Sequence, residues 1–126
     1  MTHVLLLDTH VFLWWRTNDP QLNADAREAI ATAPIVFVSA ASAWEAAIKM
    51  AMGRLTLPEP FSRGVDHSGF RRLAVTFEHA EAAAVLPRHH GDPFDRMLVA
   101  QAQLEECTLV THDRVLAPYN VPTLWT

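Results

Sequence analysis

The clearest structural pattern in this chain is the segment Asp92-Pro93-Phe94-Asp95-Arg96-Met97-Leu98-Val99-Ala100-Gln101-Ala102, followed shortly by Cys107-Thr108-Leu109-Val110-Thr111-His112-Asp113. The first part is typical of a helix start, because Asp92 can act as the N-cap and proline is well tolerated at the first helical position. Small and apolar residues then continue at helical spacing. The second part is short and almost entirely apolar or β-branched, as a buried parallel strand should be. This region therefore predicts a helix followed by a strand of a parallel sheet.

Two acids of this region are predicted to lie at one edge of the sheet. Asp95 falls in the first turn of the helix, and Asp113 follows the carboxyl end of the strand. In open α/β sheets these positions share the edge where ligands bind. Asp92 competes with Asp95 for the same role, but helix register favours Asp95. Asp92 is better explained as the helix cap, in a supporting position.

The rest of the chain shows the same alternation of strands and helices. Strands are predicted at residues 3–7, 35–38, 73–75 and 121–125, and helices at residues 9–16, 24–32, 40–52, 61–70 and 77–85. Strands that alternate with helices in this way indicate a mainly parallel sheet with helices on both faces. We therefore expect an α/β fold with four to five short strands, in a single domain spanning residues 1–126.

Two more acids have positions that allow either a structural or a functional role. Asp8 follows the first predicted strand, so it can cap the next helix or contribute to a site at the sheet edge. Glu45 can form an ordinary helical ion pair with Lys49, four residues later. It also lies about two turns into a helix that begins at the end of a strand, which would place it over the same edge as Asp8. The residues alone leave both pairs of alternatives open.

Composition limits the class of protein and the compartment. The 126 residues carry a formal net charge of −4, and the basic residues are nine arginines and one lysine. Arginine suits bidentate phosphate contact, so nucleic acid is not excluded. The amino terminus lacks the pattern of a signal peptide, and no apolar run is long enough to span a membrane. Cys107 is the only cysteine, which excludes an internal disulfide and favours a reducing cytoplasm.

Four carboxylates at one sheet edge would need a counter-charge. Two carboxylates ~5 Å apart repel by roughly 3 kcal/mol at an effective dielectric of about 20. A divalent cation removes this repulsion, and all-carboxylate ligation favours Mg²⁺ or Mn²⁺. Such an ion can activate water and neutralise charge that develops on a phosphate. The acids Asp8, Glu45, Asp95 and Asp113 therefore predict metal-assisted hydrolysis of a phosphodiester.

These residues also resemble a known family, the PIN-domain ribonucleases, and specifically the toxins of VapBC-type toxin–antitoxin pairs. The resemblance is carried by Leu7-Asp8-Thr9-His10, by Ser42-Ala43-Trp44-Glu45 with Gly53-Arg54-Leu55, by His90-Gly91-Asp92-Pro93-Phe94-Asp95-Arg96 and by Thr111-His112-Asp113. It spans nearly the whole chain, and the four motifs keep the family's order and spacing. His112 departs from the pattern, because many relatives have asparagine there.

The resemblance implies several further properties. The fold would be a three-layer sandwich, and the activity would be cleavage of structured RNA such as tRNA by an endoribonuclease. Asp8, Glu45, Asp95 and Asp113 would be the metal-site acids, with Thr111 as a polar support. Partners would be a cognate antitoxin and a second copy of the chain, within a higher toxin–antitoxin assembly. Arg96 and Arg114, next to the third and fourth acids, are the arginines we expect to contact RNA.

Two other classes of function remain open. His89, His90 and His112, together with the acids, could form a transition-metal hydrolase site, and restoration of activity by zinc where Mg²⁺ and Mn²⁺ fail would favour it. The acids could instead bind a cation in a non-catalytic regulatory or binding module. The tryptophans Trp14 and Trp44 are expected to pack in the core or in a dimer interface rather than to stack on bases.

Overall fold

A computed structural model of the chain describes residues 4–126, which form five strands and six helices. The strands are β1 (Val4–Leu7), β2 (Ile35–Ser39), β3 (Arg71–Leu73), β4 (Thr108–Thr111) and β5 (Thr123–Trp125). The helices are α1 (Thr9–Thr17), α2 (Ala24–Thr32), α3 (Ala40–Ala51), α4 (Phe61–His67), α5 (Phe77–Ala84) and α6 (Pro93–Leu104). A 3₁₀ turn follows β4 at Arg114–Leu116. None of the helices in this described part combines the length and apolar character that a membrane crossing requires.

The five strands form one sheet in the order β3-β2-β1-β4-β5, and every neighbouring pair is parallel. This confirms the predicted α/β class and the parallel sheet. Leu7, at the end of β1, is level with Val38 of β2 and Val110 of β4. Because the three central strands end at the same level, the residues that follow them meet at one edge of the sheet.

The central strand β1 supplies side chains to both faces of the sheet. Leu5 and Leu7 belong to one buried apolar cluster with Phe12 of α1 and Ile30 of α2. Leu6 points to the opposite face, where its cluster includes side chains from α6. Alternation along a strand with both faces covered gives three layers, helix–sheet–helix, as expected.

The predicted helix starts are formed by the capping residues. The side chains of Asp8, Asn23, Ser39, Thr76 and Asp92 each accept a hydrogen bond from a backbone N–H in the first turn of the helix that follows. Gly53 follows the end of α3 with φ +71°, a left-handed conformation that favours glycine. Local sequence therefore determines where most helices begin.

The third strand lies two residues earlier than expected. The apolar run at residues 73–75 suggested a strand there, but β3 is Arg71–Leu73 at the edge of the sheet. An edge strand needs little apolar character, so two exposed arginines fit. The carbonyl of Ala74 instead accepts a hydrogen bond from the side chain of Gln101 on α6. Helix α4 and strand β5 are also shorter than predicted, and His3, expected in β1, lies outside the described residues.

Candidate active site

Asp8 is a buried carboxylate at the end of the central strand. Its side chain accepts the backbone N–H of Val11 on one oxygen, at 2.8 Å, and the hydroxyl of Thr111 on the other. The residue is 4 % exposed, and this burial raises the pKa of the Asp8 carboxyl, although both hydrogen bonds lower it. Asp8 therefore caps α1 and also places a carboxylate at the sheet edge.

Glu45 lies over the same edge and is held by two groups. Its Oε1 accepts a hydrogen bond from the hydroxyl of Thr9, at 2.6 Å, and its Oε2 lies 3.4 Å from the Lys49 ammonium. Thr9 directly follows Asp8, and its hydroxyl oxygen is also 2.9 Å from that of Ser42. The side chain of Glu45 is only 12 % exposed. The helical ion pair with Lys49 therefore forms, yet Glu45 still faces the neighbourhood of Asp8.

Asp95 and Asp113 are joined by a histidine. The Nε2 atom of His90 lies 2.9 Å from Oδ2 of Asp95 and 3.3 Å from Oδ2 of Asp113. One nitrogen or oxygen atom from each of these three residues lies within 4.8 Å of the other two. Burial raises the pKa of Asp95 to about 6, and the hydrogen bond from His90 opposes that effect. The charges of Asp92 and Asp8 raise this pKa as well, so the carboxylates of Asp8 and Asp95 influence each other.

The acids Asp8, Glu45, Asp95 and Asp113 are called the carboxylate site below. Asp92 stands beside it as a cap, since its side chain accepts the backbone N–H groups of Phe94 and Asp95. Thr111 is fully buried and connects two of the acids: it donates to Asp8, and its hydroxyl oxygen accepts the N–H of Asp113. Burial raises the pKa values of Asp8 and Asp95, and carboxylate oxygens of this kind beside an imidazole nitrogen are a donor set that fits a divalent cation.

Arg96 binds protein groups. Its guanidinium donates hydrogen bonds to the carbonyls of Ala83, Leu86 and Pro87 and to the hydroxyl of Tyr119. These contacts hold the loop between α5 and α6, which carries His90. Arginine donors used in this way are not free for phosphate, so the contacts favour a positioning role over the RNA contact expected for Arg96. Arg114 is exposed, and its guanidinium lies 4.4 Å from the ring centroid of Trp125.

The three histidines of the alternative metal site have different neighbours. His89 packs against the ring of Tyr119, and His112 packs against Trp14. Within residues 4–126, His90 is the one histidine grouped with acids in a potential metal-binding set. The sequence named His90 among the histidines that could join the acids in a metal site, but it predicted neither the contact of Thr9 with Glu45 nor the loop-holding contacts of Arg96. The position of Thr9 next to Asp8 was the only local signal for any of them.

Comparison with known proteins agrees with these observations. The family model of the PIN domain matches residues 5–120 of the sequence. The chain is 33 % identical to Ribonuclease VapC22 of Mycobacterium tuberculosis over an alignment of 127 residues. That alignment covers 96 % of this chain and 98 % of the relative.

Solved structures share the fold at lower identity. VapBC2 from Rickettsia felis, bound to a DNA fragment from its promoter, matches with a TM-score of 0.70 and 12 % identity over 96 % of this chain and 97 % of that one. A toxin–antitoxin complex from Klebsiella pneumoniae matches at 0.68 with 18 % identity, covering 95 % of both chains. FitAcB from Neisseria gonorrhoeae matches at 0.68 with 19 % identity, over 95 % of this chain and 96 % of that one. At these identities the matches show a shared fold.

Proposed function

The chain belongs to the PIN-domain family, and from that premise we propose that it is a divalent-metal-dependent endoribonuclease toxin, neutralised by a cognate antitoxin. The observation that carries the proposal is the carboxylate site, in which Asp95 and Asp113 share His90 and the charge of buried Asp8 acts on Asp95. The relative with 33 % identity is named as a ribonuclease, which supports RNA as the substrate. We expect structured RNA such as tRNA to be the target, cleaved in the cytoplasm.

The residues that would hold the cation are the four acids Asp8, Glu45, Asp95 and Asp113. Carboxylate oxygens favour Mg²⁺ or Mn²⁺, and the imidazole of His90 offers a nitrogen donor that Mn²⁺ accepts more readily. When bound, the cation would supply Lewis acidity toward a phosphate oxygen and would activate a water molecule. The fit rests on charge: without a cation, the neighbours that can offset the charge of these acids within the described contacts are Lys49 and the imidazoles of His10, His90 and His112.

The chain's own groups keep the acids in fixed orientations. Both oxygens of Asp8 are engaged, one by the N–H of Val11 and one by the hydroxyl of Thr111. The hydroxyl of Thr9 holds Glu45 in the same manner. Because these donors are buried and anchored in the sheet edge and in α1, the carboxylates need little rearrangement when substrate binds. Arg114, at the exposed rim, is the arginine we propose for a phosphate contact.

A protein partner is part of the proposal. The similar solved structures include toxin–antitoxin complexes, so a small antitoxin is the expected inhibitor. An arginine-bearing tail of such a protein would suit the acidic rim. Large exposed apolar side chains, such as Trp44 at 66 % and Phe77 at 85 %, offer surface for association. We also expect a homodimer and a higher toxin–antitoxin assembly, which co-expression with the neighbouring gene and light scattering would reveal.

Cleavage of RNA by protein from which metal ions have been removed (stripped protein) tests the proposal. Purified chain treated with chelator should be inactive on total RNA and should regain discrete cleavage with Mg²⁺ or Mn²⁺. Asp95→Asn should lose cleavage by at least a hundredfold, because a metal-site oxygen donor with its charge is removed. Glu81→Gln, which removes an exposed carboxylate on α5, serves as the matched control and should cleave like the unmodified chain. Wild-type activity in Asp95→Asn would refute the site.

The position of His90 between two acids favours one competing possibility, a transition-metal hydrolase. The same stripped protein distinguishes the two. If Zn²⁺ restores cleavage and neither Mg²⁺ nor Mn²⁺ does, the site is a zinc site and the proposed cofactor is wrong.

A further inference from the structure

An aromatic cluster lies beside the carboxylate site and has no part in the function proposed so far. It consists of His10 and Trp14 of α1 and of His112, which follows β4. The His112 and Trp14 ring centroids are 4.8 Å apart, those of His10 and His112 are 5.9 Å apart, and those of His10 and Trp14 are 6.2 Å apart. His10 and Trp14 are four residues apart on one helix, so they present their rings on the same face.

The cluster differs from the aromatic pairs of the core. Phe12 is buried and packs against Phe61, and the half-buried Trp15 packs against Phe70. The cluster's histidines are exposed, and its tryptophan is only partly buried, with part of its ring packed against the apolar core. Among residues 4–126, neither imidazole makes a hydrogen bond or an ion pair, so both rings keep their edges for a ligand. Core packing explains how Trp14 is anchored, as the sequence suggested, but it does not explain two exposed histidines stacked around it.

Both histidines of the cluster are next in sequence to residues that form or hold the carboxylate site. His10 follows Thr9, which holds Glu45, and His112 stands between Thr111 and Asp113. The positive charge that either imidazole can carry lowers the pKa of Asp8, which places both rings close to that carboxylate. A phosphodiester bound at the acids would therefore bring an adjacent base next to the rings.

We propose that His10, Trp14 and His112 form a subsite that stacks on the nucleobase next to the phosphate cleaved at the carboxylate site. The inference rests on the proposed nuclease function and adds a substrate feature to it: the base must be unstacked from its neighbours, in a loop or a single strand. Every base has a π-face, so stacking tolerates sequence, and imidazole N–H groups add contacts to base edges. An exposed aromatic set beside phosphate chemistry suits a base better than an aliphatic side chain.

Binding of a short RNA tests the subsite. The probe is a labelled single-stranded RNA spanning the mapped cut, compared with the same RNA carrying an abasic nucleotide beside the cut. Binding is measured in chelator, where no cleavage occurs. Removing the base should weaken binding about tenfold, since stacking contributes about 1–3 kcal/mol per base. His112→Ala should weaken binding of the intact RNA by a similar factor, and the abasic change should then have little further effect.

Two variants separate stacking from folding and from charge. Trp14→Phe keeps a stacking ring and should bind within about threefold of the unmodified chain. His89→Ala removes another exposed histidine, outside the cluster, and should leave binding and the abasic effect unchanged. Suppose that the unmodified chain cleaves and binds RNA, but the abasic change weakens RNA binding by His112→Ala as much as it weakens binding by the unmodified chain. That result refutes the base subsite and leaves the nuclease proposal standing. If the unmodified chain neither cleaves nor binds RNA, the nuclease proposal fails with it.

Discussion

At the scale of single residues, the ionised carboxylate of Asp95 lowers the stability of the folded chain, although the proposed metal site requires that carboxylate. An ordinary aspartate has a pKa near 3.8, but burial raises that of Asp95 to about 6, and the neighbouring Asp92 and Asp8 add to the effect. The folded state therefore binds a proton on Asp95 more tightly than the unfolded state does. The stability associated with that proton is present at low pH and is lost as pH rises from about 4 to about 6.

Asp95→Asn should remove this pH-dependent loss of folding stability, because an amide does not ionise. In buffer without divalent ions, the variant should be more stable than the unmodified chain at pH 7, by several degrees in melting temperature. The difference in melting temperature between the two proteins should grow between about pH 4 and pH 6 and stay constant above that range, because Asp95 loses its proton within it. Thermal unfolding at a series of pH values measures it, with Glu81→Gln as control. A difference that is independent of pH would contradict the raised pKa.

At the scale of elements, the loop between α5 and α6 is positioned by a residue that follows it. Arg96 in α6 bonds to carbonyls at the end of α5 and in the loop, and to Tyr119. The hydroxyl of Tyr119 in turn accepts the backbone N–H of His90, at 3.1 Å, and donates to the carbonyl of Pro87, at 2.8 Å. The loop conformation that places His90 between two acids therefore depends on one guanidinium and one phenol.

Arg96→Lys should loosen this loop, because a single ammonium cannot reach carbonyls in so many directions. We expect a loss of about 1–3 kcal/mol in the free energy of unfolding, as for lost charged hydrogen bonds. Urea denaturation measures the loss, and hydrogen exchange should show faster exchange at the amide of His90. Arg88→Lys, an exposed position in the same loop, should change neither quantity. Unchanged exchange in Arg96→Lys would show that the loop is held by other contacts.

For the whole molecule, the parallel sheet is what gathers acids from residues 8 to 113 at one edge. The three central strands run in the same direction and end at the same level, so Asp8, the start of α3 and Thr111–Asp113 converge. A cation bound there would link β1, β4 and α6, and binding to the folded state alone would stabilise all of them together.

Added Mg²⁺ or Mn²⁺ should therefore raise the melting temperature of the unmodified chain. At a concentration one hundred times the dissociation constant, the expected gain is about 2.7 kcal/mol. Asp8→Asn should abolish most of the shift, while Glu81→Gln should keep it. Sodium chloride at matched ionic strength separates binding from screening. An equal shift in Asp8→Asn would mean that the ion binds elsewhere.

The sequence by itself determined the parallel α/β fold and the helix starts, because strand burial and capping are local patterns that contacts along the chain enforce. It also predicted four acids at one edge of the sheet; the structure groups Asp95 and Asp113 with His90, and the joint role of the four acids stays a prediction. Edge strand β3 was misplaced, because pairing with β2 rather than apolar character decides where it lies. Only the tertiary structure decided that Thr9 holds Glu45, that His90 bridges Asp95 and Asp113, and that Arg96 holds a loop. These contacts join residues on different elements, and their geometry depends on the packing of those elements rather than on the residues beside them in the chain.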